Sequence, residues 1–299
     1  VQFITKKSLI ISLFLFCLIF SSNSFSDTKS FDDYGIITLM YHRFEENKYP
    51  STNIKIDDFK IHLNTIKSEG IHFLHPNDFD RVLKNEKNKR KILLTIDDAF
   101  SSFYKNAWPI IKDKKIPFIL FVSTREVGKN GYMTWDQIRE IAKEEFVHIG
   151  NHSHSHEYLI DLEEKKIIED INKSIEILKK EVGYNSNFFS YPFGEYSLIF
   201  KKIIKDSGFE YAFGQHSGVI DETKNLFELP RFPINEKYGE QKRFKIILNT
   251  LPLQYKTIEP EEKYINSLLN PPKIIIEFFT DHNLKKINCY SNELDTWRK

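Results

Sequence analysis

Cysteine is nearly absent from this chain: 299 residues hold two, Cys17 and Cys289. A disulfide framework is therefore excluded as the source of stability, and a hydrophobic core has to supply it. An excess of charge of one sign is also missing. Lys and Arg total 43 against 42 Asp and Glu, so no net field draws the protein to nucleic acid. The apolar run Leu9–Phe20 is 12 residues, short of the roughly 20 that a membrane-spanning helix needs. No internal repeat is present. What remains is the composition of an ordinary globular protein, 40% hydrophobic and 28% charged. It is rich in Phe (26) and Tyr (14), which a large core explains more simply than a binding surface does.

The N-terminus has the layout of an export signal. Lys6 and Lys7 precede the apolar run, and Ser24-Phe25-Ser26 offers small residues where a signal peptidase reads. Residues 1–26 are expected to be a cleaved signal and 27–35 a polar tether, leaving Cys289 unpaired in an exported protein, periplasmic or extracellular. An uncleaved segment would keep it tethered to the membrane.

From Ile36 onward, short apolar runs alternate with amphipathic stretches. Strands are expected at Ile36–Tyr41, Ile92–Ile96, Phe118–Val122, Val147–Gly150, Phe188–Tyr191 and Tyr211–Phe213. Helices are expected at Ile56–Glu69, Asn106–Lys115, Trp135–Glu144, Leu162–Val182 and Ser197–Ser207. In the longest helix Ile167, Ile168, Ile171, Ile175 and Leu178 form the expected buried stripe. This alternation predicts an α/β fold with a mostly parallel sheet and functional residues at strand C-termini. The main domain is expected over 36–240. Residues 241–299, with four prolines and a strand at Lys273–Phe279, read as a β-rich C-terminal extension.

Three segments that carry chemistry each fall where a strand ends. Asp97-Asp98 follows the apolar run to Ile96. An Asp pair alone is as well read as a turn or helix cap. The second segment, His148 to His156, holds four of the chain's ten histidines. In a helical turn His152 and His156 share a face and can grip one metal, whereas in an extended chain His154 joins them. Two His and one carboxylate leave coordination positions open, which is the composition of a catalytic rather than a structural metal site. The spare aspartate then has a use as a base toward water. The third segment, Ser190-Tyr191-Pro192-Phe193-Gly194-Glu195-Tyr196, is a rigid turn that can present a backbone N–H to an oxyanion.

In order and approximate spacing, TIDDAF, HSHSH and SYPFGEY resemble the first three motifs of the polysaccharide deacetylases, the NodB-homology domains of carbohydrate esterase family 4. LMYHRF at the start and LPRF at 229–232 look more like the branch acting on poly-β-1,6-N-acetylglucosamine. The resemblance covers about residues 36–235 and implies a distorted (β/α) barrel that deacetylates an N-acetylglucosamine-containing polysaccharide. It implies Asp97 as catalytic base, with Asp98, His152 and His156 holding a divalent metal, commonly Zn2+, with Co2+, Ni2+ or Fe2+ as substitutes. The Phe193 amide is implied as an oxyanion donor in the turn Pro192–Gly194. Two positions depart from the family pattern, with Ala99 in place of a glycine and Ser190 in place of the arginine that orients the base. Arg231 is the candidate to supply that cation. The late leucine-x-histidine motif that carries the general acid is not recognisable, so His42 and then His216 are candidates for a group near the leaving amine. Tyr41, Trp135, Tyr191, Pro192 and Tyr196 are candidate sugar contacts. Two other readings compete: a carbohydrate-binding protein with impaired catalysis, and a non-haem iron oxygenase, since two His and one carboxylate also hold Fe(II).

Overall fold

A computed structural model of the protein describes residues 34–86, 89–265 and 272–279, and the backbone of 291–292 and 297–298. The expected signal and tether lie outside the described residues up to 33. Among the described residues no helix is long and apolar enough to cross a membrane.

The main sheet is built from β1 (Ile36–Tyr41), β2 (His72–Phe73), β3 (Lys91–Ile96), β4 (Phe118–Val122), β5 (Val147–Asn151), β6 (Phe188–Ser190), β7 (Tyr211–Phe213), β8 (Val219–Ile220) and β9 (Phe232–Pro233). Its order is β8-β1-β3-β4-β5-β6-β7, with β2 paired to β3 and β9 to β1. Every pairing is parallel except that of β1 with β8. Leu229 bridges to Phe213, and Phe232 and Pro233 pair with Leu39 and Met40. The stretch 229–233 thus spans the gap between the last strand and the first, and the sheet curls into a distorted (β/α) barrel.

Both faces of the sheet are covered, which is why β1, β3 and β4 are apolar runs without polar alternation. The period of two still sorts their side chains. Ile37, Leu39 and Tyr41, Ile92, Leu94 and Ile96, and Phe118, Leu120 and Val122 pack outward in one cluster against the helices. Ile36, Leu93, Ile119, Phe121, Phe188, Tyr211 and Phe213 pack in a second cluster on the inner face. Phe79, at the start of α2 (Phe79–Asn85), closes on Phe188 and Tyr211, the first residues of their strands, and so fills the end of the barrel where strands begin. Continued by two residues at a time, the inner rows run from Ile36 to His42, from Leu93 to Asp97, from His148 to His152 and from Phe188 to Ser190. The opposite, C-terminal end of the barrel therefore receives His42, Asp97, His152 and Ser190. Gly150 lies in one of these rows because a Cβ there would stand 2.3 Å from the Phe121 ring.

The helices are α1 (Ile56–Ser68), α2, α3 (Trp108–Lys114), α4 (Trp135–Ala142), α5 (Glu164–Val182), α6 (Leu198–Asp206) and α7 (Gln241–Leu248). A capping box between Thr134 and Gln137 starts α4, and Gly183 at φ 89° ends α5. In α5 the buried row is Ile167, Ile171, Ser174 and Leu178, while Ile168 is 37% exposed. Ile168 is one residue off the i, i+4, i+7, i+11 row, and Ser174, which the apolar pattern passes over, takes the place on it. In α7 the residues Phe244, Ile247 and Leu248 belong to the main core, and Phe244 stacks on His62 of α1 at 3.9 Å. Residues 241–248 are therefore part of the barrel body. β structure follows later, in the hairpin of β10 (Thr257–Glu259) and β11 (Ile275–Glu277).

Candidate metal and catalytic centre

Asp97 is fully buried, which for a carboxylate is costly unless charge and hydrogen bonds compensate it. Arg231, also 0% exposed, supplies both. Its Nη1 donates to Asp97 Oδ1 at 2.7 Å and its Nη2 to Oδ2 at 2.8 Å, a bidentate fork. The other donors reach Ser190 Oγ at 2.8 Å, Thr95 Oγ1 at 3.3 Å and Gly214 O at 2.9 Å, so all five guanidinium N–H groups are used. Ser190 Oγ donates in turn to Asp97 Oδ2 at 3.3 Å. Ser190, where the family motif has arginine, thus lines the room through which Arg231 enters from the neighbouring stretch 229–233. Burial pushes the Asp97 pKa up, but the charges of Arg231 and His152 outweigh it and the carboxyl ends below its ordinary value.

Asp98 turns the other way, because it and Ala99 adopt φ of 71° and 53°. That left-handed step costs an alanine about 1 kcal/mol, and the glycine usual in the family would not incur it. The step brings Asp98 Oδ1 to 3.1 Å from His156 Nε2 and 3.4 Å from His152 Nε2. The ligand atoms of Asp98, His152 and His156 all lie within 4.8 Å of one another. For bonds of 2.0–2.1 Å in a tetrahedral shell, ligand atoms sit about 3.3 Å apart, and the two Asp98–histidine distances are compatible with a bound divalent cation. The tautomer suits it too: His152 Nδ1 donates to the Ser190 carbonyl at 2.7 Å, which leaves the Nε2 lone pair facing Asp98. Burial raises the Asp98 pKa, yet the neighbouring imidazoles of His152 and His156 hold it well below the carboxylate range. Burial lowers the His156 pKa, but Asp98 outweighs it and the net shift is upward.

The histidine segment is neither a helical turn nor an extended run. Ser153 and His156 take φ of 67° and 52°, folding a loop that sets the His152 and His156 rings 4.8 Å apart. His154 points away, its Nδ1 2.8 Å from Thr124 Oγ1. The loop is stapled from beneath. Asn151 Oδ1 accepts from Ser153 N at 2.8 Å, and the Asp170 carboxylate accepts from His154 N at 2.7 Å and Ser155 N at 3.0 Å. Asp170 sits on α5, and its distance along the chain hides this role from a local reading of the sequence.

The other expected residues divide. His42 follows β1 and opposes Asp97 in register with Tyr41 and Ile96. Burial lowers its pKa, with Asp97 and Asp98 pulling the other way, so the ring is neutral at pH 7. Phe193, at φ 59°, is 48% exposed and lays its ring 4.9 Å from His156 and 5.5 Å from Tyr158. No acceptor among the described residues takes its N–H. Tyr158, 43% exposed beside Phe193, went unnoticed in the sequence because it belongs to no motif. Tyr132, its ring tilted against that of Phe100 at 4.9 Å and its pKa raised by burial and then by the Asp98 charge, was missed for the same reason. Tyr41 and Tyr191, expected to meet sugar, are 1% and 0% exposed. Tyr41 hydrogen-bonds His62 Nδ1 at 3.0 Å and Tyr191 donates to Phe227 O at 3.0 Å, so both are core residues with no free ring face. Pro192 is likewise buried, and Trp135 packs partly buried against the main core. Tyr196 and His216 lie together, ring centres 6.2 Å apart, on the far side of the Phe193 turn.

The family model described as polysaccharide deacetylase matches residues 84–212. A poly-β-1,6-N-acetyl-D-glucosamine N-deacetylase of Staphylococcus aureus is 27% identical over 212 residues, covering 66% of this chain and 73% of its own. Among solved structures, IcaB from Ammonifex degensii superposes with a TM-score of 0.64 at 23% identity, covering 72% of this chain and 97% of that one. The Streptococcus pyogenes deacetylase PplD, in complex with acetate, gives 0.65 at 23% identity, covering 74% and 100%. In motif order, barrel fold and matched sequence the chain is similar to the polysaccharide deacetylases.

Proposed function

We propose that the protein hydrolyses N-acetyl groups of an N-acetylglucosamine-containing polysaccharide, releasing acetate and leaving a free amine on the sugar. The observation that carries this reading is the pair of adjacent aspartates with divided partners. Asp97 is clamped by Arg231, and Asp98 stands with His152 and His156. When bound at Asp98, His152 and His156, a divalent cation, with Zn2+ the best match to this donor set, supplies Lewis acidity toward the acetamide and acidifies water. Asp97, kept ionised by Arg231, takes a proton from the attacking water. The Phe193 N–H, which has no protein acceptor among the described residues, donates to the carbonyl oxygen as charge builds on it. His42 stands beside Asp97 to relay a proton to the departing nitrogen, and it must first gain one because the free ring is neutral. A β-1,6-linked polymer is favoured by the Staphylococcus relative. Such a substrate lies outside the cytoplasm, which agrees with an exported protein, periplasmic or extracellular.

The test is acetate release from β-1,6-linked N-acetylglucosamine oligomers with and without chelator, for the wild type and Asp97→Asn. Release that requires added metal and falls on the order of 10²-fold or more in the variant is expected. Release indifferent to chelator and to Asp97→Asn would refute the assignment.

A further inference from the structure

Beside the metal-ligand trio, on the opposite side of the Phe193 turn, lies a cleft of about 770 Å³. Phe193, Gly194 and Glu195 form one wall, so a single turn separates it from His156. The facing wall does not come from the barrel motifs. It is made by the segment after α7, with Leu251, Leu253, Tyr255, Ile258 and Lys263. That segment is anchored. Lys224 Nζ donates to Leu253 O at 2.8 Å, Glu262 accepts from Leu198 N at 3.0 Å, and the Tyr264 hydroxyl bonds Asp161. The interior combines aromatic rings of Tyr196, Tyr255 and His216 with a small number of polar groups, among them Ser217 and Glu228. Its volume is that of a small-ligand site. Its chemistry is what a pyranose ring needs, an apolar face to lie on an aromatic ring and hydroxyl edges to meet polar groups.

We infer that this cleft is a saccharide subsite, built by the C-terminal segment, that holds the sugar neighbouring the one being deacetylated. The inference rests on the deacetylase reading for its substrate. Its structural ground is separate, namely a cleft continuous with the catalytic turn whose far wall the family motifs do not supply. A chain crossing the Phe193 turn would have one residue at the metal-ligand trio and the next between Tyr196 and Tyr255. The enzyme then prefers oligomers to a single acetylated sugar, and Tyr255 and Ile258 set that preference.

The experiment compares N-acetylglucosamine with its β-1,6-linked pentamer, using acetate release for rates and calorimetry on chelator-treated full-length protein for binding. Tyr255→Ala and Ile258→Asp are the variants, and Ile246→Ser, on the exposed face of α7, is the control. The expected result is a roughly tenfold fall in the pentamer-to-monomer ratio of kcat/KM, carried by KM, with weaker pentamer binding in both cleft variants and neither change in the control. Ile258→Asp keeps the test decisive if Tyr255→Ala does not fold. Acetate release with an unaltered length preference in the cleft variants would overturn the subsite and leave the deacetylase reading standing. Pentamer binding weakened by those variants, without acetate release by any form, would keep the subsite and overturn the deacetylase reading. Absence of pentamer binding to the wild type would overturn the subsite.

Discussion

Arg231 and Asp97 are opposite charges with no contact with water, and each is tolerable because of the other. Removing one partner of such a pair costs about 3–5 kcal/mol, because the remaining charge is buried and uncompensated. Arg231→Gln should therefore lose roughly that much stability in urea unfolding and lower acetate release on the order of 10²-fold. Arg231→Lys, which keeps the charge but not the fork, should fall between. The pH dependence follows from the sign of the Asp97 shift. Its folded pKa is depressed, so its stabilising contribution is present above the unfolded value near 4 and is lost as pH falls through the folded value. In Arg231→Gln burial acts without that cation, the Asp97 pKa rises toward or above its unfolded value, and the acid-induced loss of stability that Asp97 contributes should shrink relative to wild type. Unchanged stability and an unchanged acid limb in Arg231→Gln would show that the clamp does not hold the base. Position 190 was readable in the sequence as a missing arginine. That Arg231 reaches Asp97 was legible only as a matter of charge, since nothing local says which way a residue 134 positions away in the chain will point.

At the scale of elements, the histidine loop and β5 each make a prediction. Asp170 on α5 accepts two backbone N–H groups of the loop, and Asp170→Asn removes one acceptor and sets a donor against a donor. Zinc affinity measured by calorimetry should drop about 10–100-fold, as for other groups that orient metal ligands. A merely structural role would lower the melting temperature and leave affinity unchanged. His148, in the inner row of β5, lies between Tyr184 and Phe188 at 5.2 and 5.1 Å, and burial lowers its pKa to about 4. The folded state thus binds its proton less well than the unfolded state, whose value is near 6.5. The His148 contribution is complete above about pH 6.5, declines as pH falls toward about 4, and is constant below that. His148→Gln should flatten stability against pH across that window relative to wild type, and parallel urea midpoints at every pH would contradict the assignment. The histidine cluster announced a metal site, but which imidazoles share it depended on the left-handed turns at Ser153 and His156. Those turns are held by Asn151 and Asp170 and leave no periodic mark in the sequence.

For the whole molecule, a cation bound to the folded form alone adds stability by mass action. At a hundred times its dissociation constant, zinc contributes about 2.7 kcal/mol, a rise of roughly 5–10 °C in melting temperature for a domain of this size. Chelator should reverse the rise, and His152→Ala or His156→Ala should not show it. An equal rise in those variants would place the zinc elsewhere.

The sequence by itself determined six of the nine strands of the main sheet and five of the seven described helices, because each of these is a local period of hydrophobic residues with its own start and stop signals. The two-residue strands at His72, Val219 and Phe232 are too short to carry one. It also determined the cast of the candidate centre. Asp97, Asp98, His152 and His156 stand at strand ends in residue types that suit little else together. Tertiary structure decided how they are arranged. Closure of the sheet through Leu229–Pro233 carried Arg231 onto Asp97, and covering both faces turned Tyr41 and Tyr191 from plausible sugar platforms into core. Packing of α7 on α1 drew residues 241–248 into the barrel, and the segment beyond it was folded back to face the Phe193 turn. The physical reason is common to all four. Burial and charge pairing are settled between residues far apart in the chain, and a pattern read along the chain does not contain them.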